Sequence, residues 1–468
     1  MKRNKAYSTR MMLALLLVLS LALSACGNGN SGGGNEPAAG TNTPPATQGG
    51  EEKKDPVTIT MWDKAGGMAD AINERVEKFN SERDDIQINF IQQGSDGFED
   101  NLRLAFQSKQ GPDIFPASPT IALYKAGFLQ PLEDVLDPQI LEDFAAFGKN
   151  GLTVFEGKTY AVPINAVTVR LVYNKDLFRE AGLDPEQPPT TFSEFVDYAR
   201  IISEKGAGEY FGVGLPLKWN GFMDWHLDPL VLSTDMELTK KGLFNLRTQQ
   251  FETIKYKPVI EMLREIVSNN WAYPGASTLD NDPMRSAFAE GKIGMFIGAS
   301  WDVGTLNEQF NTTVDWSAAP IPVPDGEQAL RHISNAGKNW ALSADTKHPE
   351  EAAEVLEYLV GAETSQELQK KGLLNALNPA ANDEQYMPEG VEQFKHFVPG
   401  ELDQQFPADP TSLLKIQGNN YSSAVMELIL TNKEIDPVLE NLAKVYTDAY
   451  TKLVQSGEID PSHYSMAE

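Results

Sequence analysis

The sequence predicts an α/β fold, and three observations carry that expectation. Short β-rich runs alternate with stretches of helical spacing, which implies parallel strands joined by right-handed crossovers. Hydrophobic residues make up 41% of the chain and charged residues 22%, an ordinary folding composition. At 468 residues the chain exceeds one typical core and should divide into at least two units.

The folded part should begin near Pro56. Val57–Trp62 alternates and is β-rich, ending at the loop Asp63–Gly67. Ala71, Ile72, Val76 and Phe79 recur at helical spacing across Met68–Asn80. Ile86–Gln92 reads as a strand, Phe98–Ser108 as a helix, and Asp113–Phe115 as a short strand after Gly111-Pro112. Ligands bind beyond the C-terminal ends of strands in such sheets, which nominates Trp62-Asp63, Gln93–Asp96 and Ala117–Thr120. Val169–Tyr173 is a further strand and Lys175–Ala181 a helix, and Thr191 can cap Ser193–Ser203 with Glu194 close behind. Helices over Lys257–Asn269 and Asp282–Glu290 lead into the strand Ile293–Ile297. The proline run Ala319–Pro324 should be an extended segment crossing between units. Asn339–Ser343 is a strand, and His348–Val360 a helix capped by Asp345 or Thr346. Ser365–Lys371, Thr411–Thr431 and Asp436–Ser456 read as helices.

Before the folded part come two segments of different character. Lys2, Arg3, Lys5 and Arg10 precede an apolar run, Met11–Leu23, which has the length of a signal-peptide core and is short for a membrane span. It ends in Leu23-Ser24-Ala25-Cys26-Gly27, with the only cysteine of the chain after the small residues. The pattern resembles a bacterial lipobox, which implies removal of residues 1–25 and lipidation of Cys26, anchoring the chain to a membrane. Residues 26–54 then hold scarcely any large apolar side chain and should be a flexible tether.

Charge and cysteine count exclude several classes. The formal charge of −27 argues against nucleic-acid binding, which needs a basic footprint. One cysteine rules out a disulfide framework, an iron–sulfur cluster and a thiolate zinc site. There is no Gly-x-Ser-x-Gly elbow and no His-Glu-x-x-His, and the five histidines are scattered, which speaks against a secreted hydrolase or lyase; no cofactor and no metal in the binding site are expected, and a structural metal stays open.

Four blocks carry a family resemblance in order: GPDIFPASPTIALYKAGFLQPL, the segment Gly157–Ile202, FAEGKIGMFIGASWDV, and WALSADTKHPEEAAEVLEYL. Together they closely resemble the family-1 extracellular solute-binding proteins of sugar ABC importers, over nearly all of residues 57–450. The resemblance implies a two-lobed periplasmic-binding-protein-like fold with a hinge and an inter-lobe ligand cleft. By it the chain crosses near Asn165, Pro320 and Gly361. The N-terminal lobe is then 57–165 plus 322–361, and the C-terminal lobe 166–321 plus 362–468. It also implies a non-enzymatic receptor that delivers a carbohydrate to a transporter permease from the cell surface, as a monomer. The anchor and tether suit a Gram-positive cell.

Capturing a pyranose takes flat aromatic surfaces for its C–H faces, worth roughly 1–3 kcal/mol each, and planar polar side chains for its hydroxyls. Trp301, ending an apolar strand, is the first candidate, followed by Trp62 with Asp63 beside it and by Trp219 and Trp225 in an aromatic-rich stretch. Asp302, Asn335 and Asn339 are candidate hydroxyl partners; by resemblance, Ser118, Thr120 and Tyr421 fall near family contact positions. Trp271, Trp316 and Asp113 read as structural, and Trp340 as evenly poised between core and site. Arg170, Lys218 and Lys338 are the cations that a uronic acid would need. The rival readings are a receptor for a cation, an amino acid or a polyamine, and a secreted glycan-cleaving enzyme.

Overall fold

In the computed structural model, residues 55–466 are described except 65–67, 95–96, 118–119, 146–151, 337–338, 373–374, 382, 390, 405–406 and 419. The signal segment, Cys26 and the tether therefore lie outside the described residues, as do Ser118 and Lys338.

β1 (Val57–Lys64) and β2 (Ile86–Gln93) pair in parallel along their whole length, from Val57↔Ile86 to Lys64↔Gln93. The helix Ala69–Glu82 makes the crossover between them. A second crossover helix, Phe98–Gln107, leads to β3 (Ile114–Pro116), which lies parallel to β1 on its other side. The pleat sends Ile59 and Met61 into one core with Ile72, Val76 and Leu356, while Trp62 packs on the opposite face against the cluster of Phe98, Leu102, Phe106 and Phe115. Asp113 fastens the start of β3: its carboxylate accepts from Thr60 N at 2.8 Å and from the Thr346 hydroxyl at 2.6 Å. It is structural.

The chain then forms a small hairpin, β4 (Val154–Phe155) and β5 (Lys158–Thr159), and reaches β6 (Val162–Pro163). β7 (Asn165–Asn174) follows at once and is buried at every residue. It is the spine of a second sheet. The rest of that sheet comprises β8 (Phe211–Val213), β11 (Ile293–Ala299), β12 (Trp316–Ala319), β13 (His332–Ala336), β15 (Asn375–Ala376) and β16 (Asp403–Gln404). A separate hairpin, β9 (Phe244–Asn245) with β10 (Gln250–Phe251), lies on the same core. The C-terminal half of β7 pairs with β11 and β12, and its N-terminal half with β13 and β15. The helix Phe192–Gly206 opens with the expected reciprocal cap, Thr191 accepting from Glu194 N while the Glu194 carboxylate accepts from Thr191 N.

β14 (Asn339–Leu342) returns to the first sheet and inserts between β3 and β6, antiparallel to both. The sheets and cores thus divide the chain differently from the expectation at two places. His332–Ala336 belongs to the second sheet, so the return to the first lies between β13 and β14 and not near Pro320. Ala319–Pro324 does not cross. Ala319 ends β12 on β7, Ile321 joins the second core, and Val323 bridges to Thr191. The other crossing also moves. Leu368, Leu377 and Ala381 pack in the first core, whereas Phe394 and Phe397 pack with the second sheet, so the chain leaves the first core beyond Ala381, not at Gly361.

Two further expectations are corrected. The predicted helix Thr411–Thr431 is a short turn, Thr411–Leu413, and a helix, Tyr421–Leu430, because Gly418 turns at φ +92° and Asn420 starts a new helix by accepting from Ser423 N. Neither Asp345 nor Thr346 caps Pro349–Val360. His348 stands at the cap position and Pro349 sets the first turn, while the Thr346 hydroxyl is held by Asp113.

Candidate functional site

The β11 strand delivers Trp301 through a turn that the local sequence specifies closely. Asp302, 2% exposed, accepts from Ala299 N at 2.7 Å and sets its other oxygen 2.6 Å from Arg285 Nε. Gly298 makes the room: a β-carbon there would stand 2.7 Å from Val172 Cγ2 and 2.8 Å from Asp302 Oδ2. Asp302 is therefore the brace of the turn that presents Trp301. Burial pushes its carboxyl up, and the Arg285 guanidinium opposes that shift.

Trp301 is only partly buried and meets Trp225 edge to face, ring centroids 4.6 Å apart at 75°. Trp225 sits on a π-helical turn, Met223–Leu227, a backbone form that recurs at functional sites. Trp219, also partly buried, lies edge-on to His226 at 5.4 Å and over Gly221, where a β-carbon would meet its ring at 2.4 Å. Trp225 and Trp301 are the two candidates that the structure brings into contact. Together they form an aromatic shelf on the second sheet.

The remaining candidates are placed as follows. Trp62 is half-buried on the first sheet, and Asp63 beside it is fully buried and accepts from Lys64 N at 2.8 Å. Thr120 begins the short helix Thr120–Lys125 and donates to Ala117 O at 2.6 Å. Asn335 stands in β13 opposite Val167, and Asn339 opens β14 with a buried Oδ1 that has no hydrogen-bond partner. Tyr421 is the first residue of its helix and packs over Gly242. Trp340 is fully buried in the first core, and Trp316 is buried with its Nε1 donating to Asn307 Oδ1 at 3.1 Å. Trp271 packs against the second core.

Arg170 does not remain available to a uronic acid. Its guanidinium forms two bonds to Asp403, at 2.9 and 2.8 Å, and a third to His396 O, tying β7 to the segment that pairs with β13. Lys218 is exposed and lies 3.4 Å from Asp280.

Sequence reasoning missed one group beside the shelf. Asp224, next to Trp225, faces Lys241 with 3.9 Å between Oδ2 and Nζ. Behind it Asp228 and Tyr256, both fully buried, are joined by a 2.7 Å bond from the tyrosine hydroxyl. Asp409, whose carboxylate accepts from Thr411 N, lies near enough to act on Lys241 electrostatically. Lys240-Lys241-Gly242 carries no motif, and only the folded turn reveals its geometry.

Two α/β sheets with separate cores, joined by short crossings and carrying partly exposed aromatics at a strand end, define a binding architecture of the two-lobed kind. The chain belongs to the bacterial extracellular solute-binding protein family, whose pattern matches residues 65–366. It is 26% identical over 248 residues to a maltotriose-binding protein of Pyrococcus abyssi, covering 52% of this chain and 49% of that protein. It is 27% identical over 310 residues to a diacetylchitobiose-binding protein of Streptomyces coelicolor, covering 64% and 68%. The chain thus spans about half the length of the first of these relatives. Among solved structures it resembles the cyclic α-maltosyl-1,6-maltose-binding protein of Arthrobacter globiformis, with a TM-score of 0.63 at 21% identity, covering 85% of this chain and all of that one. A raffinose complex of the binding protein RafE aligns at a TM-score of 0.65 and 19% identity, covering 84% and 100%. The fold is therefore the two-lobed α/β fold that the sequence led one to expect. Among the described residues no helix is long and apolar enough to cross a membrane.

Proposed function

We propose that the chain is a receptor that captures a carbohydrate, an oligosaccharide in preference to a single sugar, between its two lobes. It delivers that sugar to an ABC transporter permease while held at the cell surface by a lipid on Cys26. The observation that carries the reading is the Trp225–Trp301 pair, two partly buried indoles meeting edge to face at the end of β11. A stacked pyranose face gains about 1–3 kcal/mol from each such surface. Trp62, Asp63 and Asn339 lie where β1 ends and β14 begins, and they are the proposed contribution of the first lobe. The relatives named above bind sugars by their names, which supports the same class.

The charge around the shelf speaks against an anionic ligand. Asp224, Asp228 and Asp409 act together on the ammonium of Lys241, Lys240 acts on Asp228 and Asp409, and Arg170 is paired to Asp403. Closure follows from differential contact: a sugar held by both lobes favours the form in which they approach.

The test is calorimetric titration of the purified chain with a panel of gluco-, galacto-, manno- and xylo-oligosaccharides and their monosaccharides. One glycan class should bind, and Trp301→Ala should weaken it by about 10- to 100-fold, the equivalent of one stacking surface. Binding of an amino acid or polyamine with no response to any sugar would replace the carbohydrate reading.

A further inference from the structure

Lys241, Gly242 and Leu243 occupy the left-handed region in succession, at φ +62°, +100° and +62°. That conformation is unfavourable for any residue with a β-carbon. Gly242 has none, and Leu243 is fully buried in the second core, where packing offsets the strain. Lys241 has neither excuse. Its side chain keeps 32% exposure, and it has not been replaced by the glycine or asparagine that such a position favours.

The turn is held from behind by a buried network. Asp228 Oδ2 accepts from Lys241 N at 2.8 Å, the Tyr256 hydroxyl accepts from Gly242 N at 3.1 Å, and Thr411 donates to Lys241 O at 2.8 Å. Tyr256 in turn donates to Asp228, so each polar group of the network is used. This backing fixes where the ammonium points. It stands 3.9 Å from Asp224 Oδ2, on the residue that adjoins Trp225 of the aromatic shelf.

A gap of 3.9 Å is too long for a hydrogen bond and suits one oxygen between the two groups. Bonds of about 2.8 Å from that oxygen to both groups would meet at roughly 90°, within reach of a hydroxyl that donates one way and accepts the other. We infer that Lys241 is a specificity-determining residue of the binding site, paired with Asp224 to bridge one ligand hydroxyl at the edge of the Trp225–Trp301 shelf, and so selecting a neutral sugar. This rests on the carbohydrate reading and narrows it. Burial works to lower the Lys241 pKa, but Asp224, Asp409 and Asp228 together raise it, so the group stays an ammonium. A uronate or phosphate at the same place would lie directly against the Asp224 carboxylate, with Asp409 behind it, which disfavours the acidic sugars.

The experiment compares wild type with Lys241→Gly, Lys241→Asn and Trp225→Ala, using the sugar panel above together with glucuronic and galacturonic oligomers. Melting temperature is read beside affinity. Both lysine variants should hold or raise the melting temperature, because they relieve the left-handed strain, while affinity for the neutral sugar falls at least tenfold. Deoxygenation of the bridged hydroxyl should weaken wild type and leave Lys241→Gly unaffected. Lysine variants that bind within twofold of wild type overturn the inference, and so does a large drop in melting temperature, which would make Lys241 a structural ion pair. If Trp225→Ala abolishes binding while Lys241→Gly does not, the shelf stands and the lysine proposal falls. If no sugar binds wild type, the carbohydrate reading fails and this one with it.

Discussion

Asp302 and Gly298 show how closely one aromatic position is built. The Asp302 carboxylate is enclosed, takes a backbone N–H and lies against Arg285, so removing it leaves the Ala299 N–H without its acceptor and Arg285 with Asp282 alone. Asp302→Ala should destabilise the protein by about 1–3 kcal/mol, measured by urea denaturation. Gly298→Ala should cost about 1–3 kcal/mol, since its new methyl must displace Val172 or the brace itself. Wild-type stability for both would mean that the turn does not depend on this packing. The position of Trp301 just past a strand was legible, because an apolar strand ending in an indole is a local pattern. Its brace was misread as a hydroxyl partner, since exposure of a carboxylate depends on a distant residue, Arg285.

At the scale of elements, the π-helical turn and the residue that follows it carry two buried titratable groups with opposed effects. Burial, with Asp224 as the second cause, pushes Asp228 up from 3.8 to about 7, and burial with Arg285 pushes His226 down from 6.5 to about 3. The raised Asp228 contributes stability that is full below about pH 4 and lost as pH rises through about 7. The depressed His226 contributes stability that is full above about pH 6.5 and lost as pH falls toward 3. Between pH 4 and 6.5 the two slopes oppose each other. Relative to wild type, His226→Gln should therefore gain stability as pH is lowered across that range, and Asp228→Asn should lose it. Urea midpoints that run parallel in all three proteins would contradict this pairing.

The Arg170–Asp403 bond is the matching case in the second sheet, with both side chains nearly enclosed. Arg170→Met should cost about 3–5 kcal/mol in a urea titration, and adding Asp403→Leu should recover much of that loss, because a buried charge without its partner is the expensive state. Elements with local signals were legible: the Thr191–Glu194 cap and the crossover helices follow from residues a few positions apart. β13, β15 and β16 were not, because strands of two to five residues gain their identity from partners far along the chain. The Lys241 turn was hidden for the same reason: its Asp228 and Tyr256 supports are not adjacent in sequence.

For the whole molecule, composition and alternation sufficed for the α/β class and for more than one core, but not for the crossing points. The proline run suggested a passage between lobes, yet Ala318 and Ala319 pair with β7 and keep that segment on the second sheet. The sheets join at β6 into β7, beside the expected Asn165, and elsewhere at β13 into β14 and in the stretch beyond Ala381. If these act as the hinge, small-angle scattering should give a smaller radius of gyration with saturating sugar than without it. Superimposable curves would remove closure from the mechanism.

The place of β14 also orders the assembly of the protein. Trp340 and Leu342 complete the first sheet between β3 and β6, although nearly all of the second sheet is encoded before them. A growing chain cannot finish its first core while β7, β8, β11, β12 and β13 are still emerging, and the loop it must close is long. Until then β3 keeps an unpaired edge. Folding is accordingly a late, collective event that waits for residues beyond 339, and a fragment ending before Asn339 should stay protease-sensitive throughout its N-terminal part.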